Sequence, residues 1–215
     1  MITLYKPNSN NKGSLLSCNV RALVKKDDDS QGEKAFYTTI IKQTGWDDKN
    51  KTGTFKDGEK VVSKFNAIEL ADIIYAFNSN QKVSFFHDGG NQKSQIIFAP
   101  RFKKEKKGNK WVDTNEQVGF GLAIYKSEEG QEDKELFVFT FSFGEAQYFI
   151  EYLKFSLEHI FSAMYSEAKL AAENFSNKGK GKSKGKGRGK ASKKEEETIE
   201  EDLEDPESVD DDIPF

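Results

Sequence analysis

The sequence predicts an α+β fold in which antiparallel sheets pack with two helices, built as two successive strands-then-helix repeats. Three observations predict it. Period-two alternation of side chains recurs in seven segments, apolar residues fall at helical spacing in two others, and both helical segments are entered through the same local pattern.

The strands come first. Residues 14–26 place Cys18, Val20, Ala22 and Val24 on one side, which leaves Arg21 and Lys25 on the other. Residues 34–45 set Phe36, Thr38 and Ile40 against Tyr37, Thr39 and Ile41, and residues 60–65 continue the pattern. After the first helix the segments 82–88, 94–104, 118–127 and 134–143 follow. The last aligns Phe137, Phe139, Phe141 and Phe143 on one face, with Val138, Thr140 and Ser142 on the other. Most connections between them are rich in Gly, Asn, Asp and Lys, as turns are.

The first helix spans 67–78, with Ile68, Ala71, Ile74 and Phe77 at helical spacing, and the second spans 144–168, from Ala146 to Met164. Phe65-Asn66-Ala67-Ile68-Glu69 and Phe141-Ser142-Phe143-Gly144-Glu145 share the form Phe-[Asn/Ser]-x-x-Glu, a capping box placed directly after a strand. Continuing that register pairs Leu70 with Ala146, Ile73 with Phe149, Ile74 with Ile150 and Phe77 with Leu153, and this match is what divides the body into two copies.

Composition adds domain boundaries. The 215 residues carry 33 bases and 36 acids, but residues 177–194 hold nine bases and no acids, and 195–215 hold twelve acids and no bases. The body, residues 1–176, is therefore neutral with 24 of each. An overall acidic balance does not argue against an anionic ligand. The Lys/Gly run 178–190 has no apolar side chain and cannot offset chain entropy, so 177–194 is expected to be a disordered linker and 195–215 a disordered acidic tail.

Much chemistry is excluded. Cys18 is the one cysteine and fits a reducing compartment; the first residues lack the charged and apolar regions of a signal peptide, and no stretch has the length of a membrane span. A cytoplasmic protein is expected, in a nucleoid or in a phage-infected host. His87 and His159 build neither a zinc site nor a catalytic dyad. Gly181-Lys182-Ser183 has Ser176 where a phosphate loop needs its first glycine, and Gly119-Phe120-Gly121 lacks the third glycine of a dinucleotide motif. No enzyme activity and no cofactor are expected.

The segment Asp210-Asp211-Asp212-Ile213-Pro214-Phe215 resembles the D-D-x-[IL]-P-F ending of bacterial and phage single-stranded DNA-binding proteins. That resemblance implies recruitment of replication, recombination and repair proteins, with Phe215 and Ile213 entering apolar pockets and Asp210–Asp212 steering the approach. The repeated strands-then-helix plan resembles the Whirly-type single-strand binders, although their Lys-Gly-Lys-Ala signature is absent. The alternative is an elaborated OB-fold barrel.

Single-strand binding needs cations along phosphates and flat rings for bases. The strongest candidate is the basic stretch Arg101, Lys103, Lys104, Lys106, Lys107 ending at Trp111, expected to form a β-hairpin finger. Lys42 and Trp46 sit in a similar loop over 42–51, and Arg21, Lys25 and Tyr37 share one strand face. The leading reading is a protein that coats single-stranded DNA without sequence preference. Two other readings are an RNA-binding or transcription-regulating Whirly-like protein, and an acidic-tailed interaction or chaperone protein with no DNA groove. The sequence is compatible with a homo-oligomer and leaves the number of copies open.

Overall fold

The computed structural model describes residues 1–22, 34–89, 92–128 and 134–180. The unit Met1–Ser166 contains two four-stranded antiparallel sheets. The first has the order β1 (Ile2–Lys6), β2 (Ser14–Ala22), β3 (Lys34–Asp47), β4 (Thr52–Phe65) and is followed by helix α1 (Ala67–Ser79). The second has the order β5 (Val83–Asp88), β6 (Gln92–Lys107), β7 (Lys110–Glu128), β8 (Glu135–Phe141) and is followed by helix α2 (Phe143–Lys180). Two open meanders replace the closed five-stranded barrel of the OB-fold alternative, which is thereby overturned.

The expected strands are present, with several corrections: β7 begins at Lys110 rather than at 118, and β8 ends at Phe141, so that Phe143 opens α2 in solvent instead of joining the strand's apolar face. β1 was not expected: its five residues carry too short an alternation to be recognised alone. β4 begins at Thr52 rather than at 60, because pairing with β3 holds a polar, Gly-containing stretch extended where side-chain pattern gives no sign. The second helix runs twelve residues past the expected end at 168, to Lys180. Ser166-Glu167-Ala168-Lys169-Leu170 consists largely of residues that favour or tolerate helix, and no proline interrupts it. Residues 177–180, expected to be disordered, belong to that helix, whereas the rest of the linker and the acidic tail lie outside the described residues. Of the unit Glu167–Phe215, the described part is the helical run to residue 180.

One core joins all the elements of the body. Leu16, Cys18, Phe36, Ile40, Val61 and Phe65 of the first sheet, and Ile96, Phe98, Leu122, Ile124, Phe137, Phe139 and Phe141 of the second, are buried in a single cluster with Leu70, Ile73, Phe149, Ile150 and Leu153 of the helices. Ring contacts cross-link it: Phe149 lies 5.0 Å from Phe141 and 6.3 Å from Phe98, and Phe77 lies 4.8 Å from Phe120. Burial pushes the Cys18 thiol far up, so it is a neutral packing group. Both helices start as expected. Asn66 Oδ1 accepts from Glu69 N at 2.9 Å while Glu69 Oε2 accepts from Asn66 N at 2.8 Å; at α2, Ser142 and Glu145 make the same exchange.

The register turns the duplication into geometry. Phe65 pairs with Phe36, which pairs with Val20; Phe141 pairs with Phe120, which pairs with Pro100. Strand for strand, the two halves superimpose their ladders on the same two capping boxes.

Candidate nucleic-acid interface

The alternation that buries one face of each sheet dictates what the other presents. On the first sheet Asn19, Tyr37 and Lys64 form one cross-strand row, and Ser17, Thr39 and Val62 form the next. Arg21 is exposed beside the first row, with its guanidinium carbon 5.7 Å from the centroid of the Tyr37 ring. Arg21 and Tyr37 are thus brought together as expected, while Lys25 lies outside the described residues. Lys60 and Lys64 were missed, yet the signal was present: on β4 they alternate with Val61, Ser63 and Phe65, which are buried, and both are exposed.

The basic stretch is a β-hairpin. β6 and β7 remain paired out to Lys107 and Lys110, and Gly108 turns the chain at φ +64°, as the first central residue of a type II′ turn requires. Trp111 pairs across from Lys106 and is 67% exposed, so it does not fold back onto the core. Lys103 bonds Glu116 at 3.1 Å and Lys104 approaches Asp113 at 3.9 Å, whereas Lys106, Lys107 and Lys110 carry no ion pair among the described residues. The hydrogen bond and charge of Glu116 raise the Lys103 pKa, which keeps that cation protonated. Residues 101–117 hold six bases and three acids, so the hairpin is cationic within a neutral body. Arg101 stands at its base, half-buried.

The β3–β4 hairpin differs. Its tip, residues 47–51, sets Asp47 and Asp48 against Lys49 and Lys51 and is neutral. Hydrogen bonds from Asn50, backbone first, hold Asp47 below the usual carboxylate range, so the acid stays charged. Trp46 is half-buried and donates its indole N–H to Asp48 Oδ1 at 3.1 Å. Lys42 is turned away from this surface: its ammonium bonds Glu135 at 2.6 Å and sits 4.1 Å from the Phe137 ring centroid, tying β3 to β8. Of the expected residues in this stretch, neither is placed to meet phosphates as the hairpin of β6 and β7 is. Asp210–Phe215 lie outside the described residues.

The second sheet presents an exposed Phe86 on its edge strand, in one row with Gln95, Tyr125 and Leu136. Both histidines have packing partners. His87 Nε2 lies 2.6 Å from Glu69 Oε1 and its ring meets Phe65 edge-on, while His159 stacks on Phe155 at 5.6 Å. No cluster of metal-ligating side chains occurs among the described residues, and no described helix is long and apolar enough to cross a membrane.

What the arrangement offers chemically is aromatic rings beside cations, with Trp111 in solvent among Lys106, Lys107 and Lys110 on the hairpin and Arg21 over Tyr37 on the first sheet. No protein-family model matches the sequence, and no curated protein sequence matches it. Solved structures do match the fold. The crystal structure of WHY1 from Arabidopsis thaliana superimposes with a TM-score of 0.54 at 15% identity over 80% of this chain and 91% of that one. WHY3 from the same plant gives 0.55 at 14% identity over 80% and 95%, and the plant transcriptional regulator PBF-2 gives 0.54 at 12% identity over 79% and 86%. The fold of this chain is Whirly-like.

Proposed function

We propose, from this Whirly-like fold, that the protein binds single-stranded nucleic acid, DNA first, largely without sequence preference and without catalysis. The β6–β7 hairpin carries the proposal: it holds Trp111 in solvent among Lys106, Lys107 and Lys110, which is the pairing of stacking surface and free cations that unpaired strands require. The outward row of Asn19, Tyr37 and Lys64 adds the charges of Lys64 and of Arg21, whose guanidinium already lies over the Tyr37 ring. Coating of exposed strands in replication, recombination or repair follows from the second resemblance, in which Asp210–Phe215 recruits partner proteins. The transcriptional role named for PBF-2 favours a second reading, in which a bound strand regulates transcription.

The test is a titration of the protein, at two salt concentrations, into labelled oligo-dT, the matching RNA and a duplex of equal length. Tight binding to oligo-dT that weakens with salt by a log–log slope of about 0.7 per phosphate contacted, with a weak duplex signal, supports the reading. Absence of binding to all three sinks it and leaves the acidic tail as the basis for an interaction protein. Removal of Phe215 should abolish partner recruitment while strand binding persists.

A further inference from the structure

The chain has only three arginines, Arg21, Arg101 and Arg188, against 30 lysines. Lysine therefore serves wherever charge suffices, and an arginine marks a place where a planar fork matters. The two body arginines occupy equivalent positions. Arg21 follows Val20 and Arg101 follows Pro100, the two residues that the ladders reach from Phe65 and Phe141. Arg21 is exposed one residue before the end of β2, whereas Arg101 is half-buried within β6, at the base of the hairpin that β6 and β7 continue to Lys107 and Lys110.

Their surroundings differ. Arg21 is satisfied by its own chain. The ring of Tyr37 lies under its guanidinium, and Asn19, with its amide turned so that the oxygen faces the fork, accepts from Arg21 Nε at 2.9 Å and from Nη2 at 3.2 Å. In the second sheet the positions of Asn19 and Tyr37 are held by Ala99 and Gly121, which pair with each other as Asn19 and Tyr37 do. One offers no acceptor and the other no ring. Correspondingly, Arg101 Nε is buried with no hydrogen-bond partner among the described residues. A buried N–H left in that state is costly, so the Arg101 fork gains from a rearrangement that brings it an acceptor.

We propose that Arg101 takes from the nucleic acid what Arg21 takes from Asn19 and Tyr37: a pair of acceptor atoms on one nucleotide, held by two prongs of the guanidinium. Two phosphate oxygens and two acceptors on a base edge share this chemistry. Arg21 is its internally satisfied counterpart and contributes little beyond charge. The proposal rests on the single-strand reading above and assigns that site's specific contact.

The experiment compares the wild-type protein with R101K and R21K on oligo-dC, whose bases present O2 and N3 as adjacent acceptors, and on an abasic strand of equal length, with melting temperatures recorded for each. R101K is expected to lose about 10-fold in affinity with an unchanged salt slope, since the charge is kept and the fork is lost, while R21K stays within about twofold. A loss that persists on the abasic strand assigns the acceptors to phosphate, and one confined to oligo-dC assigns them to the base. Equal losses in R101K and R21K, or none in either, overturn the inference while leaving strand binding intact; failure of the wild type to bind overturns both. Should R101K fold poorly, Ala99→Asn decides, because it gives Arg101 the internal acceptor that Arg21 already has. Weakened strand binding in folded A99N supports the inference, and unchanged binding overturns it.

Discussion

His87 Nε2 lies 2.6 Å from Glu69 Oε1, so the edge strand of the second sheet holds the capping carboxylate at the start of the first helix. The other half returns the contact. Lys6, the residue of β1 that pairs with Ser14 as His87 pairs with Ser94, bonds Glu145 at 2.5 Å, the capping carboxylate of α2. Each half therefore locks the helix entrance of the other, and the two sheets are coupled through the residues that make the helices start.

The Glu145 contact has a pH signature. Burial pushes its carboxyl up, but hydrogen bonds from Lys6 and from the Ser142 N–H and hydroxyl outweigh it, and the net shift is downward. A lowered pKa contributes stability that is present above the unfolded value of 4.5 and is lost as pH falls through the folded one. Glu145→Gln should lower the melting temperature at neutral pH by about 2–4 °C, for a loss of about 1 kcal/mol, and the gap to wild type should narrow in acid. Thermal melts from neutral pH into the acid range check this; a gap that stays constant would refute it.

Gly119 sits opposite Arg101 at φ +144°, and a Cβ there would stand 1.9 Å from the Phe141 carbonyl oxygen. No small adjustment relieves a backbone collision of that size. Gly119→Ala should cost on the order of 3 kcal/mol in denaturant unfolding, with no compensating gain elsewhere.

Trp111 is exposed, so its removal tests binding without testing the core. Trp111→Ala should leave the melting temperature within about 1 °C and weaken oligo-dT binding about 10-fold, in line with about 1–3 kcal/mol for one stacked base. Replacing Lys106, Lys107 and Lys110 together by alanine should reduce the log–log salt slope by about 2 if these cations meet phosphates. Fluorescence titrations at several salt concentrations read both effects.

The twelve acids of 195–215 offer an intramolecular competitor for the cationic surface. Deleting them should tighten oligo-dT binding at low salt and have little effect at high salt, where screening shortens the reach of charge to a few ångströms. Equal affinity of the two forms at low salt would remove competition as a role for the tail.

Local rules made the elements legible. Alternation on β2, β3 and β8 and the two capping boxes act over a few residues, so they stand in the sequence with their physical cause attached. β1 and the first half of β4 were hidden because pairing with a neighbour, rather than their own pattern, keeps them extended. Lys42 illustrates the same limit at the interface. Its sequence neighbours suggest a solvent-facing cation, and only the approach of β8 converts it into a tie to Glu135 over Phe137.

By itself the sequence determined the class of fold, its two-copy plan, the position of the basic hairpin and the segregation of charge beyond residue 176, because each depends on spacing or composition within a short window. Tertiary structure alone decided which cations are free, that Trp111 stays in solvent, and that Arg21 and Arg101 are counterparts. The separations between equivalent positions are 80 for Val20 and Pro100, 84 for Phe36 and Phe120, and 76 for Phe65 and Phe141, so no single period relates the halves. Loop lengths changed while the hydrogen-bonded ladders kept their register, and it is the ladder, closed only in the folded chain, that sets one arginine against a ring and an amide and leaves the other without either.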